Sequence, residues 1–238
     1  MNVSLYQAAA AMNANARWQD MISENLASGS TIGARSRDVY FSSVPAGPQF
    51  VIPAPGTGIN FTPGELKRTG NPLDFAIEGQ GFFEVQLPNG ERAYTRDGEF
   101  HLSSTGQLVT KQGNVVSGEG GPLQFDINNT MPLTVSATGQ VSQGGEIKGK
   151  LKLVEFNDPR LLTPITSGMF LADNPNIQAQ APTDTSISQG SVEASNISPT
   201  TQMADLIMAM RAFETNQKVI QMQDDRMGRT ISELGSPT

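Results

Sequence analysis

The chain has no cysteine, one histidine and one tryptophan among 238 residues. The missing cysteine excludes disulfide scaffolds and thiol chemistry. With only one histidine besides, the usual zinc-binding spacings are impossible. Charge is sparse too: Asp, Glu, Lys and Arg make up 16%, with a net charge of −7 and a pI near 4.7. A nucleic-acid surface needs clustered Lys and Arg. The nearest approach is Lys148, Lys150 and Lys152, whose alternate spacing predicts one solvated strand face. No uninterrupted apolar run approaches the ~18–20 residues that span a bilayer. The opening Met1-Asn2-Val3-Ser4-Leu5 lacks the basic start and apolar stretch of a secretory signal, so any export is expected without a cleaved signal peptide.

Glycine (24) and proline (15), by contrast, are plentiful. Both interrupt regular helices and supply turns. The hydrophobic share is 37%, below the roughly 45–50% of ordinary globular domains. Turn-rich β structure over modest cores is the expectation, in one large domain or two small ones.

Five regions follow from patterning. Residues 1–41 hold an N-terminal assembly helix, predicted over 3–28, and the segment after it. Its stripe of Leu5, Ala9, Met12, Ala16, Ile22 and Leu26 is thin and alanine-rich, so the helix buries too little to stand alone. Residues 42–64 form a Pro/Gly-rich linker, because Pro45, Pro48, Pro53, Pro55 and Pro63 bar a helix or a central strand. Residues 65–172 read as a β-rich central domain. Its clearest unit is a hairpin of 82–87 and 91–96 around Pro88-Asn89-Gly90, followed by strands at 107–110, 114–117, 133–137 and 149–156. Residues 173–197 are a polar connector. Residues 198–238 form a C-terminal heptad helix, opened by Ser198 as N-cap and Pro199 in the first turn and closed by Gly235 and Pro237. Met203, Leu206, Met210, Phe213, Gln217, Ile220, Asp224, Met227, Ile231 and Leu234 fall at alternating steps of three and four, the seam of a coiled coil. The fold class is thus mainly β with terminal α-helices: an antiparallel β-rich domain flanked by helices that form a coiled-coil-like assembly region.

Chemistry is hard to find. His101 lies between Phe100 and Leu102 in a predicted strand and reads as structural. No Gly-x-Ser-x-Gly elbow occurs for a serine triad. Gly79-Gln80-Gly81 lacks a third glycine, since Glu84 stands there, and leads into a hairpin rather than a phosphate-binding helix. Gly118-Glu119-Gly120-Gly121 lacks the Lys-Ser/Thr of a P-loop. Glu78, Glu84, Asp97 and Glu99 are the carboxylates from which a glycoside-hydrolase pair would be drawn, but Asp97-Gly98 is ordinary turn chemistry. No catalytic, cofactor or metal residue is assigned.

The residues do match a family. Residues 6–27, ending Ile22-Ser23-Glu24-Asn25-Leu26-Ala27, are similar to its Asn-Asn-Leu-Ala-Asn signature. The central block is 70–83 with Tyr94-Thr95-Arg96-Asp97-Gly98-Glu99-Phe100 and Gly106-Gln107-Leu108-Val109. The last block is Gly190-Ser191-Val192-Glu193-Ala194-Ser195-Asn196-Ile197 with residues 210–218. Over nearly its full length the chain resembles the flagellar basal-body rod and hook proteins. Thr62-Pro63-Gly64-Glu65-Leu66 and residues 219–229 look closer to the proximal than to the distal rod members. After Ala27 the family pattern Asn-x-x-Thr-x-Gly-Phe-Lys becomes Ser28-Gly29-Ser30-Thr31-Ile32-Gly33-Ala34-Arg35, which keeps the glycine and loses the aromatic.

The resemblance implies a structural subunit of an axial rod in the periplasm, part of the shaft that carries motor torque. Its implied partners are copies of itself, other rod proteins and, during secretion, the flagellar type III export apparatus, with no nucleic acid and no membrane span. Leu5, Ala9, Met12, Ile22 and Leu26, with the ten seam residues of the C-terminal helix, are the expected assembly interface. The alternatives are a distal rod or hook protein and a periplasmic cell-wall-binding or hydrolase module.

Overall fold

The computed structural model describes residues 3–47, 50–129, 131–166 and 168–234, with side chains described outside 3–6, 41–55, 231 and 233–234. Its chain divides into two compact units. Unit 1 takes Met1–Ala27, Arg37–Ile59 and Ser198–Thr238; unit 2 takes Ser28–Ser36 and Asn60–Ile197. The expected class, β-rich with a helix towards each end, is the observed one.

Unit 1 contains α1 (Val3–Ser28), β1 (Arg37–Gly47), β2 (Phe50–Ile59) and α2 (Pro199–Leu234). At 36 residues, α2 is about 54 Å long. Ser198 caps it as expected: its Oγ meets the Thr201 N–H at 3.5 Å and its carbonyl accepts from the Gln202 N–H at 3.0 Å. The predicted stop at Gly235 and Pro237 lies outside the described residues. β1 and β2 form an antiparallel ribbon from Arg37↔Ile59 to Gly47↔Phe50. Most of the segment read as a Pro/Gly-rich linker, 42–64, is therefore paired as a ribbon. Proline bars a central strand, but both strands of a ribbon are edges. Pro45, Pro53 and Pro55 occupy one alternating set of register positions, 45↔51, 43↔53 and 41↔55, the set that need not donate an N–H to the partner.

Unit 2 holds the short strands β3 (Leu66–Arg68), β4 (Phe75–Glu78), β5 (Phe82–Gln86), β6 (Arg92–Thr95), β7 (Phe100–Leu102), β8 (Leu108–Thr110) and β9 (Val115–Gly118). Its main antiparallel sheet runs Thr163–Pro164, Met169–Leu171, β6, β5, β9, β8, β7. The predicted hairpin is β5–β6, in register from Phe83↔Thr95 to Gln86↔Arg92. Hydrogen bonds of 2.9 Å from Leu87 N–H to Glu91 and from Gly90 N–H to Leu87 close it. Phe82 and Phe83 are adjacent on β5 and so point to opposite faces. Both are fully buried. Phe83 meets Phe100 at 5.1 Å between ring centroids, while Phe82 lies 5.8–6.0 Å from Phe61, Phe156 and Phe170. The sheet is covered on both sides there, and each buried phenylalanine contributes about 1.5–3 kcal/mol.

Two sequence expectations change. The single strand expected at 149–156 is two strands: Glu146–Lys150 joins Gln140–Gln143, and Leu153–Phe156 joins β5. The break falls at Leu151 and Lys152, and Gly149, inside the first strand, takes a φ of 152° beside the register shift at Val141/Ser142. Within the expected polar connector, Ser186–Gln189 pairs with β4 and Ser191–Glu193 with β3. Ile187, Val192 and Ile197 are buried there. Each is a lone apolar side chain among polar neighbours, a pattern too short to register as a strand.

Candidate functional site

The residues weighed for chemistry are held in structural pairs. Glu84 is buried, with Lys152 at 3.1 Å and Arg92 at 3.8 Å. Glu99 pairs with Lys111, and Glu78 and His101 are exposed. Asp97 is buried and accepts from the Glu99 N–H at 3.0 Å. Desolvation lifts its carboxyl to about 6, with Glu99 and Asp74 adding to the shift while the Glu99 N–H and Lys111 oppose it. Lys148, Lys150 and Lys152 each meet a different carboxylate, Glu146, Glu119 and Glu84, at 2.5–3.1 Å, so they form no open basic patch. Among the described residues no group of three metal-ligating side chains comes together.

The residues expected to form the assembly interface lie on the two helices of unit 1. On α1, Ala8, Ala14, Met21, Ile22 and Asn25 are covered. Of the expected stripe, Ile22 is 1% exposed, Met12 and Leu26 are half-buried and Ala9 is exposed, while the Leu5 side chain lies outside the described ones. On α2 Ala209 is buried, and Gln202, Asp205, Leu206, Ala212, Phe213, Asn216, Val219, Ile220 and Gln223 are half-buried, a side broader than a two-position heptad seam. Leu206, Phe213 and Ile220 belong to the predicted seam. Met203, Met210, Gln217, Asp224 and Met227 do not join them and are exposed. Ile231 and Leu234 lie outside the described side chains. The covered side and the heptad pattern share Leu206, Phe213 and Ile220, but the covered side takes in Ala209 and Asn216 where the pattern has Met210 and Gln217, one residue or about 100° of turn away. Apolar identity favours the methionines, but packing takes the small Ala209. Among the described side chains of α2, six large apolar ones are left exposed: Met203, Ile207, Met208, Met210, Met222 and Met227, with Met222 at 58%.

Sequence reasoning passed over a set of buried polar residues. In unit 1 the Asn25 amide accepts from the Arg37 N–H at 2.9 Å and donates to the Arg37 carbonyl at 2.8 Å, as a strand neighbour would. It also donates to Gln202 at 3.0 Å, which ties the end of α1 to the start of α2. In unit 2 the Glu193 carboxylate is 1% exposed. One oxygen accepts from Arg35 Nη2 at 2.6 Å and from the Gly64 N–H at 2.8 Å; the other accepts from Arg96 Nη1 at 3.1 Å. Arg96 donates further to the Gly79 carbonyl at 2.7 Å and sits 5.0 Å over the Phe82 ring. Burial, opposed by Glu193 and aided by Arg35, brings the Arg96 guanidinium down to about 10. One helical turn's worth of sequence later, Asn196 accepts from the Ser36 N–H at 2.7 Å and donates to the carbonyls of Asn60 and Thr62 at 2.9 and 3.0 Å.

Three distant stretches therefore converge on Glu193 and Asn196. Gly33 is indispensable to this: its φ is 69°, and a Cβ there would lie 2.4 Å from the Asp97 nitrogen. The signal was present in the resemblance blocks, which contain Asn25, Arg96, Glu193 and Asn196. Arg35 stands where the family pattern has lysine, and Ala34, in place of the aromatic, is buried.

Comparison with known proteins agrees with these blocks. Residues 76–143 match the family described as flagellar hook protein FlgE/F/G D1 domain, and residues 188–233 match flagellar basal body rod FlgEFG protein C-terminal. A flagellar basal-body rod protein FlgF of Mesorhizobium japonicum is 34% identical across 99% of both chains. One from Caulobacter vibrioides is 36% identical across 91% of both. A FlgG rod protein of Buchnera aphidicola is 32% identical over 90% of this chain and 93% of its own. With similarity of this extent to rod proteins, the chain belongs to the flagellar basal-body rod protein family.

Proposed function

We propose that this chain is a structural subunit of the flagellar basal-body rod and that it polymerises through its terminal helices. The observation that carries the second half is the apolar surface that α2 leaves open in the single subunit, with Met203, Ile207 and Met210 on one side and Met208, Met222 and Met227 elsewhere around the helix. Apolar surface of this kind marks a protein-binding site, and contacts repeated head to tail about a screw axis build a filament. The exposed methionines and Ile207 are the part offered to other subunits. The partners are further copies of the chain and other rod proteins. Export through the flagellar secretion apparatus, without signal cleavage, places it in the periplasmic shaft; an assembled subunit with its N-terminal segment intact by mass spectrometry supports this, and a trimmed one refutes it.

Met210→Asp and Met222→Asp are the test. Both positions are exposed, so the subunit keeps its fold, while a charge buried at a subunit contact is strongly unfavourable. Purified basal bodies from cells carrying either variant lack the subunit, and swimming is lost. Normal incorporation of both variants would overturn the assignment of this surface. The match to FlgG relatives supports a second position, in the distal rod, which labelled basal bodies distinguish by where the subunit lies along the shaft.

A further inference from the structure

The cluster of Arg35, Glu193 and Arg96 is unevenly built. Two guanidinium groups share one carboxylate, and all three side chains are 1–3% exposed. Arg35 Nε, Arg35 Nη1 and Arg96 Nε have no hydrogen-bond partner. Such a cluster is a poor way to gain stability, because burying charge costs more than an imperfectly bonded pair returns. Its members have unequal standing. Without Arg35, Arg96 and Glu193 remain as a one-to-one pair. Without Glu193, two buried cations face each other uncompensated.

The same carboxylate governs where the chain leaves unit 2. Glu193 holds the Gly64 N–H and, through its own carbonyl, the Gly33 N–H at 2.8 Å. Asn196 fixes Ser36, and the Asn60 N–H donates to the Ser36 carbonyl at 2.9 Å. Residues 36, 60 and 197 are three of the four points at which unit 2 gives way to unit 1 along the chain.

We propose that Glu193 is the keystone of an ordering lock: residues 28–36 dock only after strand Ser191–Glu193 has paired with β3 and brought its carboxylate to Arg96. Arg35 is the last member to enter, and it enters because a carboxylate already waits there. An apolar residue at 35 would fill the space without demanding that order. This proposal concerns unit 2 alone and does not depend on the rod reading.

The test is native-state amide exchange on the full chain, with Gly33, Ser36, Asn60 and Gly64 as reporters and the amides of the β5–β6 pairing as controls. In Arg35→Met the reporters exchange about tenfold faster or more, the scale of a lost charged hydrogen bond, while the controls stay unchanged. Arg35→Lys, which keeps the charge but loses the fork, falls between. Arg35→Met added to Glu193→Gln makes the reporters exchange no faster than Glu193→Gln alone, and slower where it relieves the two facing cations, because Arg35 acts through that carboxylate. Unchanged reporters in Arg35→Met, a general loss of protection that includes the controls, or additive effects in the double variant would each overturn the lock.

Discussion

Units 1 and 2 solve the problem of burial in opposite ways. Unit 2 concentrates its phenylalanines around β5 and covers both faces of one sheet. Unit 1 buries mostly small or amphipathic side chains, Ala8, Ala14 and Ala209 among them, and leaves much of its large apolar surface open. The first pattern suits a self-sufficient body; in the function proposed above, the second is completed by other subunits. Substitutions should therefore read as stability in unit 2 and as association in unit 1.

The sharpest contrast comes from Phe83→Ala. It empties a fully buried site against Phe100 and should cost about 3–5 kcal/mol, seen as a lower denaturant midpoint by fluorescence or circular dichroism. Asp97→Asn comes next. The carboxyl is lifted from an ordinary 3.8 to about 6, so the folded state holds a proton more tightly than the unfolded chain does. Stability is thus greatest below about pH 4 for this group and falls as pH rises to about 6. Asparagine should flatten that decline and raise stability at pH 7 by an amount on the order of 2 kcal/mol, as denaturation curves across pH 4–7 would show. Asn25→Ala leaves the Arg37 N–H without its acceptor and should cost about 1–2 kcal/mol, confined by hydrogen exchange to unit 1. Met210→Ser should shift stability by less than about 0.5 kcal/mol while weakening self-association in sedimentation. A large melting shift from that last change would erase the distinction between the units.

The sequence made part of this visible. Alternation around Pro88-Asn89-Gly90 located the hairpin, and Ser198-Pro199 located the start of α2, because both are local signals. The proline ribbon was missed because the rule against proline in strands holds for central strands, and this pair has only edges. The side of α2 covered within the subunit was only partly legible: it shares Leu206, Phe213 and Ile220 with the heptad pattern, but apolar identity cannot say which flank a small residue such as Ala209 will bring into contact. The Glu193 cluster was least legible of all. A charged residue reads as solvated unless its partner is known, and Arg35 lies 158 positions away. Only the resemblance, which joins these stretches in one pattern, hinted that they belong together.

The division of the chain has a kinetic consequence. Asn25 and Gln202 are 177 residues apart, and drawing such distant points together in a free chain carries a closure entropy on the order of 4–5 kcal/mol. Once the middle of the molecule has formed, with residues 36, 60 and 196 pinned side by side, nearly all of that separation has already been spanned. The first helix, although synthesised earliest, must wait for the last to arrive, and the body between them makes their meeting a short-range event.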